Sequence, residues 1–199
     1  MASFTELLKI CSIISFRYNV IGGLNPNDQE TVYNSITLKI LEEKRYSKND
    51  FKKIYPSDES FESAFSNKAF KLSTRNHSIV RYILGKIESN IFHNEIDYSS
   101  EKYSIEHILP ESPGEGWDNV PNDSLERSVY RLGNLSLLEK GLNNKCGNKS
   151  FEEKKGYYKK SSVGIMKLIS EEYNEWNEEK IIQHQSWMAK QAKSIWKIS

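Results

Sequence analysis

The stretch "YSIEHILP", from Tyr103 to Pro110, places a glutamate and a histidine side by side among aliphatic and aromatic residues. Its β-branched and aromatic content predicts a short strand that ends near the proline. A single histidine in such a strand is usually a packed, hydrogen-bonded core residue. Taken alone, the stretch therefore leaves two interpretations open, a buried strand or the centre of an active site. The segments that follow it distinguish the two.

A long loop, a second strand and a helix follow this stretch. The segment from Glu111 to Ser124 is dense in Pro, Gly, Asp, Asn and Ser, which predicts a loop. "RLGNLSLLEK", residues 131–140, is apolar and lies between glycines, which predicts a second strand or an extended hairpin. "NKSFEEKKGYYKKS", residues 148–161, begins with the capping residue Asn148 and has acids first and lysines last, as a helix dipole favours. This order predicts a ββα unit.

Helical patterns occupy most of the remaining chain. Residues 1–97 contain several segments with apolar residues at helical spacing, and residues 161–199 contain two more. We therefore predict a mainly α fold with a small ββα insert, which is an α+β arrangement overall. The expected organisation is a helical N-terminal region over 1–97 that packs on the core, the ββα motif over 98–160, and C-terminal helices over 161–199 that complete the same domain.

Composition excludes several classes of protein. The chain has 199 residues, a net charge of +1 and 28% charged residues, which is typical of a rather polar globular protein. Its two cysteines, Cys11 and Cys146, form no CxxC pair, which argues against a disulfide scaffold and a cysteine-built zinc site. The apolar run "ICSIIS" is far too short to span a membrane. We expect no membrane association and a cytoplasmic location.

Three side chains of the ββα segment have the chemistry that phosphodiester hydrolysis requires. A histidine with a pKa near 6.5 can deprotonate a water, and a hard divalent cation on oxygen ligands can stabilise a charged phosphate. His107 ends the first predicted strand, Asn134 lies in the second, and Asn143 follows nine residues later where the helical part begins. In isolation, each asparagine is also compatible with a turn or capping role.

The series "EHILP", "RLGNLSLL" and "LNNKCGNKSFEEKKGYY" resembles the HNH, or ββα-metal, nucleases. More closely, it resembles the C-terminal HNH domain of GmrSD-type modification-dependent restriction enzymes and related phage-defence proteins. The spacing of Asn143, Asn148, Phe151 and Lys154 matches the last part of that family's signature. The resemblance covers nearly the whole chain, and residues 105–154 are its specific part.

The resemblance implies a role for each main residue of the motif. His107 would be the general base that activates water, and Asn134 would orient or polarise it from the neighbouring strand. Glu106 and Asn143 would be metal ligands, with Mg²⁺ as the expected ion and Mn²⁺ or Ni²⁺ as substitutes.

Two further residues have supporting roles in this interpretation. Asn148 would cap the helix or hold the loop, and Lys154 would contact phosphate.

Adjacent residues on a regular strand point to opposite faces. We therefore expect the chain to bend near Pro110, so that Glu106 and His107 converge on one site.

Basic residues are concentrated around the predicted metal site. Residues 131–160 carry eight basic and three acidic residues, a net charge of +5. Such a segment predicts salt-sensitive binding to a nucleic-acid backbone, although a solvated helix face has the same composition. The residues predicted to contact DNA are Arg131, Lys140, Lys145, Lys149 and Lys155.

These patterns predict a metal-dependent HNH endonuclease domain that cuts DNA and acts in the restriction of phage DNA. The resemblance implies modified phage DNA and an N-terminal NTP-binding sensor domain as partners, and no GxxxxGK[ST] loop for such a domain occurs in this sequence. A homodimer would permit a double-strand cut. Two alternatives remain open: a non-catalytic nucleic-acid-binding or assembly module that keeps the HNH shape, and an RNA-directed nuclease.

Overall fold

The structure is a computed structural model that describes residues 4–118 and 120–198. Asn119, in the predicted loop between the strands, and the extreme ends of the predicted terminal regions lie outside the described residues. Helices make up most of the described chain, and two strands form an antiparallel sheet. The predicted mainly α fold with a small ββα insert is therefore confirmed. The division of the chain at residues 97 and 160 stays a prediction.

The chain divides into two compact units, and the first contains the residues up to Phe65 together with those from Ala192 on. Its elements are α1 (Phe4–Ser15) with a π-helical continuation (Phe16–Ile21), α2 (Pro26–Glu43), a 3₁₀ helix (Lys48–Ile54) and α3 (Asp58–Ser66). Aliphatic and aromatic residues at helical spacing form its core. The buried guanidinium of Arg17 donates to the Trp196 carbonyl oxygen and pairs with Asp58 at 2.8 Å, which compensates the buried charge.

The second unit runs from Ser66 to Gln191 and contains both strands. Its elements are α4 (Thr74–Phe92), β1 (Tyr103–His107), α5 (Asn122–Ser128), a 3₁₀ turn (Leu132–Asn134), β2 (Leu135–Glu139), α6 (Lys140–Cys146), α7 (Phe151–Tyr158), α8 (Gly164–Glu172) and the part of α9 (Glu178–Ile195) that precedes Ala192. The helices α4, α6 and α8 contact β2, whose residues 135–138 are all buried. None of the helices in the described part of the chain combines the length and apolar character that crossing a bilayer requires.

Four details of the ββα segment differ from the sequence prediction. Asn134 lies in the 3₁₀ turn before β2 and not within the strand. The helix α6 follows β2 directly, and its seven residues are too few to show a helical period in the sequence. The helix α5 begins inside the segment expected to be a loop. The cap of α7 is Ser150, whose hydroxyl accepts the Glu153 N–H, and not Asn148.

The register of the sheet determines which backbone groups of β1 face outward. The strands are antiparallel, with His107 opposite Leu135, and the Ile108 N–H donates to the Asn134 carbonyl oxygen at 3.0 Å. Hydrogen-bonded and non-hydrogen-bonded pairs alternate in such a ladder. The even-numbered residues of β1 therefore direct their backbone groups toward β2. The carbonyl groups of the odd-numbered residues lie on the outer edge, where other donors must satisfy them.

Candidate active site

His107 is the last residue of β1, and its side chain is mostly buried but keeps some contact with solvent. The side chain is 15% exposed, yet Nε2 is buried and has no hydrogen-bond partner among the described residues. The exposed surface therefore belongs to other atoms of the side chain. The Tyr130 ring meets the imidazole edge-on, with ring centroids 6.0 Å apart. An imidazole held in this way can receive a proton from a water at the exposed part of the side chain.

Glu111 places a carboxylate next to this imidazole. Its Oε1 lies 3.7 Å from His107 Nε2, just beyond hydrogen-bond distance. The Tyr130 hydroxyl contacts the same carboxylate. Burial is the main cause that raises the pKa of Tyr130, and the hydrogen bond to Glu111 raises it further. Sequence reasoning did not indicate Glu111 and Tyr130, because neither belongs to the spacing of the motif. The one available signal was an acidic residue immediately after the proline that ends the stretch.

The surroundings of His107 favour its neutral form. Burial lowers the pKa of His107, the Glu111 carboxylate raises it, and the Lys154 ammonium lowers it further. The net direction is downward, so the imidazole is neutral at neutral pH. That is the protonation state that a general base requires.

Glu106 belongs to the interior and not to the side of the sheet that His107 faces. Its side chain is 3% exposed, and Oε1 accepts hydrogen bonds from Lys154 Nζ at 2.7 Å and from the Tyr158 hydroxyl at 2.8 Å. Burial raises the pKa of Glu106, and Lys154 opposes this shift. The strand stays regular through His107, so the expected convergence of the two side chains does not occur. The predicted metal-ligand role of Glu106 conflicts with this arrangement, because its carboxylate already pairs with an internal ammonium.

Lys154 fastens α7 to the end of β1. It is fully buried, and Nζ donates to Glu106 Oε1 and to the carbonyl oxygens of His107 at 2.8 Å and Ile108 at 3.1 Å. An ammonium group has three donors, and all three are used. The predicted phosphate contact of Lys154 conflicts with this arrangement, because the first turn of α7 directs this side chain inward. The lysine instead holds the backbone of the residue that carries the candidate base.

Asn134 fixes the backbone immediately after His107. Its Oδ1 accepts from the Leu109 N–H at 2.8 Å and from Trp176 Nε1 at 2.9 Å. Its Nδ2 donates to the carbonyl oxygens of Leu109 at 2.8 Å and Val129 at 3.0 Å. These four bonds use the whole capacity of the amide. Asn134 therefore does not polarise His107 directly, and it orients the exit of the chain from β1.

Three side chains cover the outer edge of β1, one for each odd-numbered carbonyl group. In chain order the donor and acceptor pairs are Arg81 to Tyr103, Asn143 to Ile105 and Lys154 to His107. Asn143 lies on α6, and its Nδ2 makes this bond at 3.1 Å. The outward carbonyl groups of β1 therefore accept hydrogen bonds from residues on three helices, α4, α6 and α7. The residues on α6 and α7, Asn143 and Lys154, belong to the motif.

Asn148 anchors the loop between the strands through its backbone. Its carbonyl oxygen accepts the Gly114 N–H at 3.1 Å, and a Cβ at Gly114 would lie 2.8 Å from the same oxygen. Only glycine permits this close approach. The indole of Trp117, which is 4% exposed, donates to the Lys149 carbonyl oxygen at 2.9 Å and holds the loop at a second point.

The residues predicted to contact DNA separate into different environments. The guanidinium of Arg131 donates to Gln185 Oε1 at 3.1 Å and to the Ser66 carbonyl oxygen, so it is a structural group in this fold. Lys140 is exposed but follows the end of β2 that is remote from His107. The exposure and position of the other predicted contacts are as follows: Lys145 is exposed on α6, Lys149 is partly buried between α6 and α7, and Lys155 lies 3.6 Å from Glu152 on α7.

The oxygen donors near His107 fit a divalent cation only in part. In residues 4–118 and 120–198, no group of three or more His, Cys, Asp and Glu side chains is arranged to hold a metal ion. The Glu106 carboxylate does not fit, since a lysine ammonium occupies it in the interior. The Asn143 amide does fit, because Nδ2 serves the Ile105 carbonyl group while its oxygen is the type of ligand that Mg²⁺ accepts.

Fold and site together define a mainly helical domain in which a two-stranded antiparallel sheet carries a mostly buried histidine at the end of β1. The family of GmrSD restriction endonucleases, C-terminal domain, matches residues 55–191, which is more than half of the chain. The chain belongs to this family, and the resemblance seen in the sequence is therefore confirmed. Membership indicates a nuclease function in restriction. A comparison with curated proteins gave no match.

Proposed function

We propose that this domain is an HNH-type endonuclease that hydrolyses DNA phosphodiester bonds with His107 as general base. The observation that carries the proposal is the imidazole at the end of β1, kept neutral by burial and belonging to a side chain that is 15% exposed. Lys154 donates to the His107 carbonyl oxygen, and the side-chain amide of Asn134 bonds both backbone groups of Leu109. These bonds fix the backbone on which the imidazole is carried. A base held in this way meets the positional demands of proton transfer.

The proposed step begins with a water beside the exposed part of the His107 side chain. The water gives its proton to the imidazole while its oxygen attacks the phosphorus, the new O–P bond forms, and the P–O3′ bond breaks. The products are a 5′-phosphate and a 3′-hydroxyl end, whose proton comes from solvent. A divalent cation, Mg²⁺ or its substitutes Mn²⁺ and Ni²⁺, would stabilise the charge on the phosphate when bound. Asn143 is the residue that we propose to hold it.

The remaining parts of the proposal concern partners. Lys140, Lys145, Lys149 and Lys155 are proposed to neutralise DNA phosphates, which makes binding salt-dependent. We further propose a cytoplasmic setting, modified phage DNA as the substrate, and an NTP-binding sensor domain and a homodimer as assembly partners. The support for these points is the family to which the chain belongs.

Nicking of a supercoiled plasmid tests the catalytic claim. The purified chain is incubated with Mg²⁺, Mn²⁺ or Ni²⁺, or with EDTA, and compared with His107→Ala. We expect cleavage that requires the metal and falls at least about 100-fold in the variant, as for the loss of a general base. His93→Asn is the matched control, since His93 is an exposed residue with positive φ at the end of α4 and asparagine tolerates that backbone.

Each outcome decides one part of the proposal. Equal nicking by the wild type and His107→Ala would refute the catalytic role, and undiminished nicking in EDTA would refute the metal requirement. Asn143→Ala should raise the metal concentration needed for half-maximal cleavage, and an unchanged value would remove this residue as a ligand. DNA binding without cleavage would favour the non-catalytic module, and cleavage of a parallel RNA substrate alone would favour an RNA-directed enzyme.

A further inference from the structure

The buried nitrogen of His107 lacks the partner that its position requires. Nε2 is buried and forms no hydrogen bond among the described residues. A buried polar atom without a partner costs free energy, so native structures rarely leave one unsatisfied. Where such an atom belongs to a candidate catalytic group, the nearest group able to bond it is of functional interest.

Glu111 is the acceptor that the geometry supplies. Its Oε1 lies 3.7 Å from His107 Nε2, so an approach of less than about 1 Å gives an ordinary hydrogen bond. The Glu111 side chain is 52% exposed, so packing leaves room for this movement. The Tyr130 hydroxyl contacts the carboxylate and the Tyr130 ring packs against the imidazole, so both partners are held on the same side. The other charged group that acts on the imidazole is the Lys154 ammonium, which is fully used by its own three acceptors.

We infer that Glu111 is a positioning residue for His107, with its carboxylate accepting the Nε2–H and Tyr130 holding the carboxylate in place. A hydrogen bond at one ring nitrogen fixes the tautomer and the ring orientation. The proton on Nε2 leaves Nδ1 bare, and Nδ1 is then the atom that receives the proton of the attacking water. The water proton moves to Nδ1 and the Nε2 proton stays on the ring, shared with the carboxylate. This inference rests on the proposed nuclease function for its catalytic meaning, whereas the His107–Glu111 pairing can be measured without catalysis.

The imidazole ¹⁵N chemical shifts of His107 test the pairing directly. In the wild type at neutral pH we expect the shifts of a protonated Nε2 and a bare Nδ1. In Glu111→Gln the amide supplies no charge, so we expect the shifts to move toward a mixture of tautomers. Glu115→Gln is the matched control, because Glu115 is an exposed glutamate in the same loop. A bare Nε2 in the wild type, or identical His107 shifts in the wild type and Glu111→Gln, would overturn the inference.

Plasmid nicking gives the second measurement. Glu111→Gln should lower kcat roughly 10-fold to 100-fold, the usual effect of removing the carboxylate behind a functional histidine, while KM for DNA changes little. Glu111→Asp should recover part of the rate, and Tyr130→Phe should lose less than Glu111→Gln. A loss confined to KM would assign Glu111 to DNA binding and contradict the inference. If the wild type shows the expected shifts but cuts no nucleic acid, the pairing stands and the proposed function fails.

Discussion

Replacement of Lys154 by methionine tests whether the ammonium group is an internal brace. Lys154 is fully buried and makes three hydrogen bonds, and its loss leaves Glu106, 3% exposed, with the Tyr158 hydroxyl as its remaining partner. Breaking a buried ion pair from one side costs about 3–5 kcal/mol. The carboxylate can reduce this cost by taking up a proton, because Lys154 lowers its pKa and burial raises it. We therefore expect a loss of about 3 kcal/mol, equivalent to roughly 10 °C in Tm for a chain of this size.

Denaturant and thermal unfolding, followed by circular dichroism, measure this loss. The matched control is Lys159→Met, since Lys159 is exposed at the end of the same helix and should change stability by less than about 0.5 kcal/mol. The double variant with Glu106→Gln should lose less than the sum of the two single variants, by at least about 1 kcal/mol. If Lys154→Met unfolds like Lys159→Met and instead binds DNA more weakly, the internal brace is refuted and the phosphate contact is restored.

Two further predictions concern packing around the site. Burial among aromatic rings lowers the pKa of His184 to about 4, so between pH 6.5 and pH 4 the unfolded chain binds this proton more readily than the folded chain. The contribution of His184 should therefore lower the free energy of unfolding by about 2 kcal/mol from pH 7 to pH 5. Denaturant titrations at both pH values should show that His184→Phe lacks this contribution. An equal loss of stability in the wild type and in His184→Phe would contradict the burial of the histidine. Gly133→Ala should cost about 1–3 kcal/mol, because an added Cβ would meet the Ile181 carbonyl oxygen of α9. Gly156→Ala, in open space on α7, should stabilise by up to about 1 kcal/mol in the same thermal melts, and equal effects of the two substitutions would exclude the close approach of α9.

The sequence predicted most helices and strands because the spacing and type of neighbouring residues are enough to indicate them. Apolar residues at helical spacing indicated α4 and α9, and the content of β-branched and aromatic residues indicated β1. The short helices α5 and α6 escaped prediction because seven residues do not complete two turns. The order strand, loop, strand, helix was enough to indicate a ββα unit. The nuclease family followed from the motif spacing, and the match over residues 55–191 confirmed it.

The roles of single motif residues depended on where each side chain points. The sequence by itself determined that Glu106, His107, Asn134 and Lys154 belong together, because their spacing is a property of the chain. Only the tertiary structure decided that three of them are internal, since the strand alternates its faces and α7 directs the lysine to Glu106 and to the backbone at the end of β1. It also brought Glu111, whose spacing belongs to no motif, beside the imidazole. Whether a carboxylate binds a metal ion or forms an internal ion pair depends on the charged group that folding places next to it, and for Glu106 that group is the Lys154 ammonium.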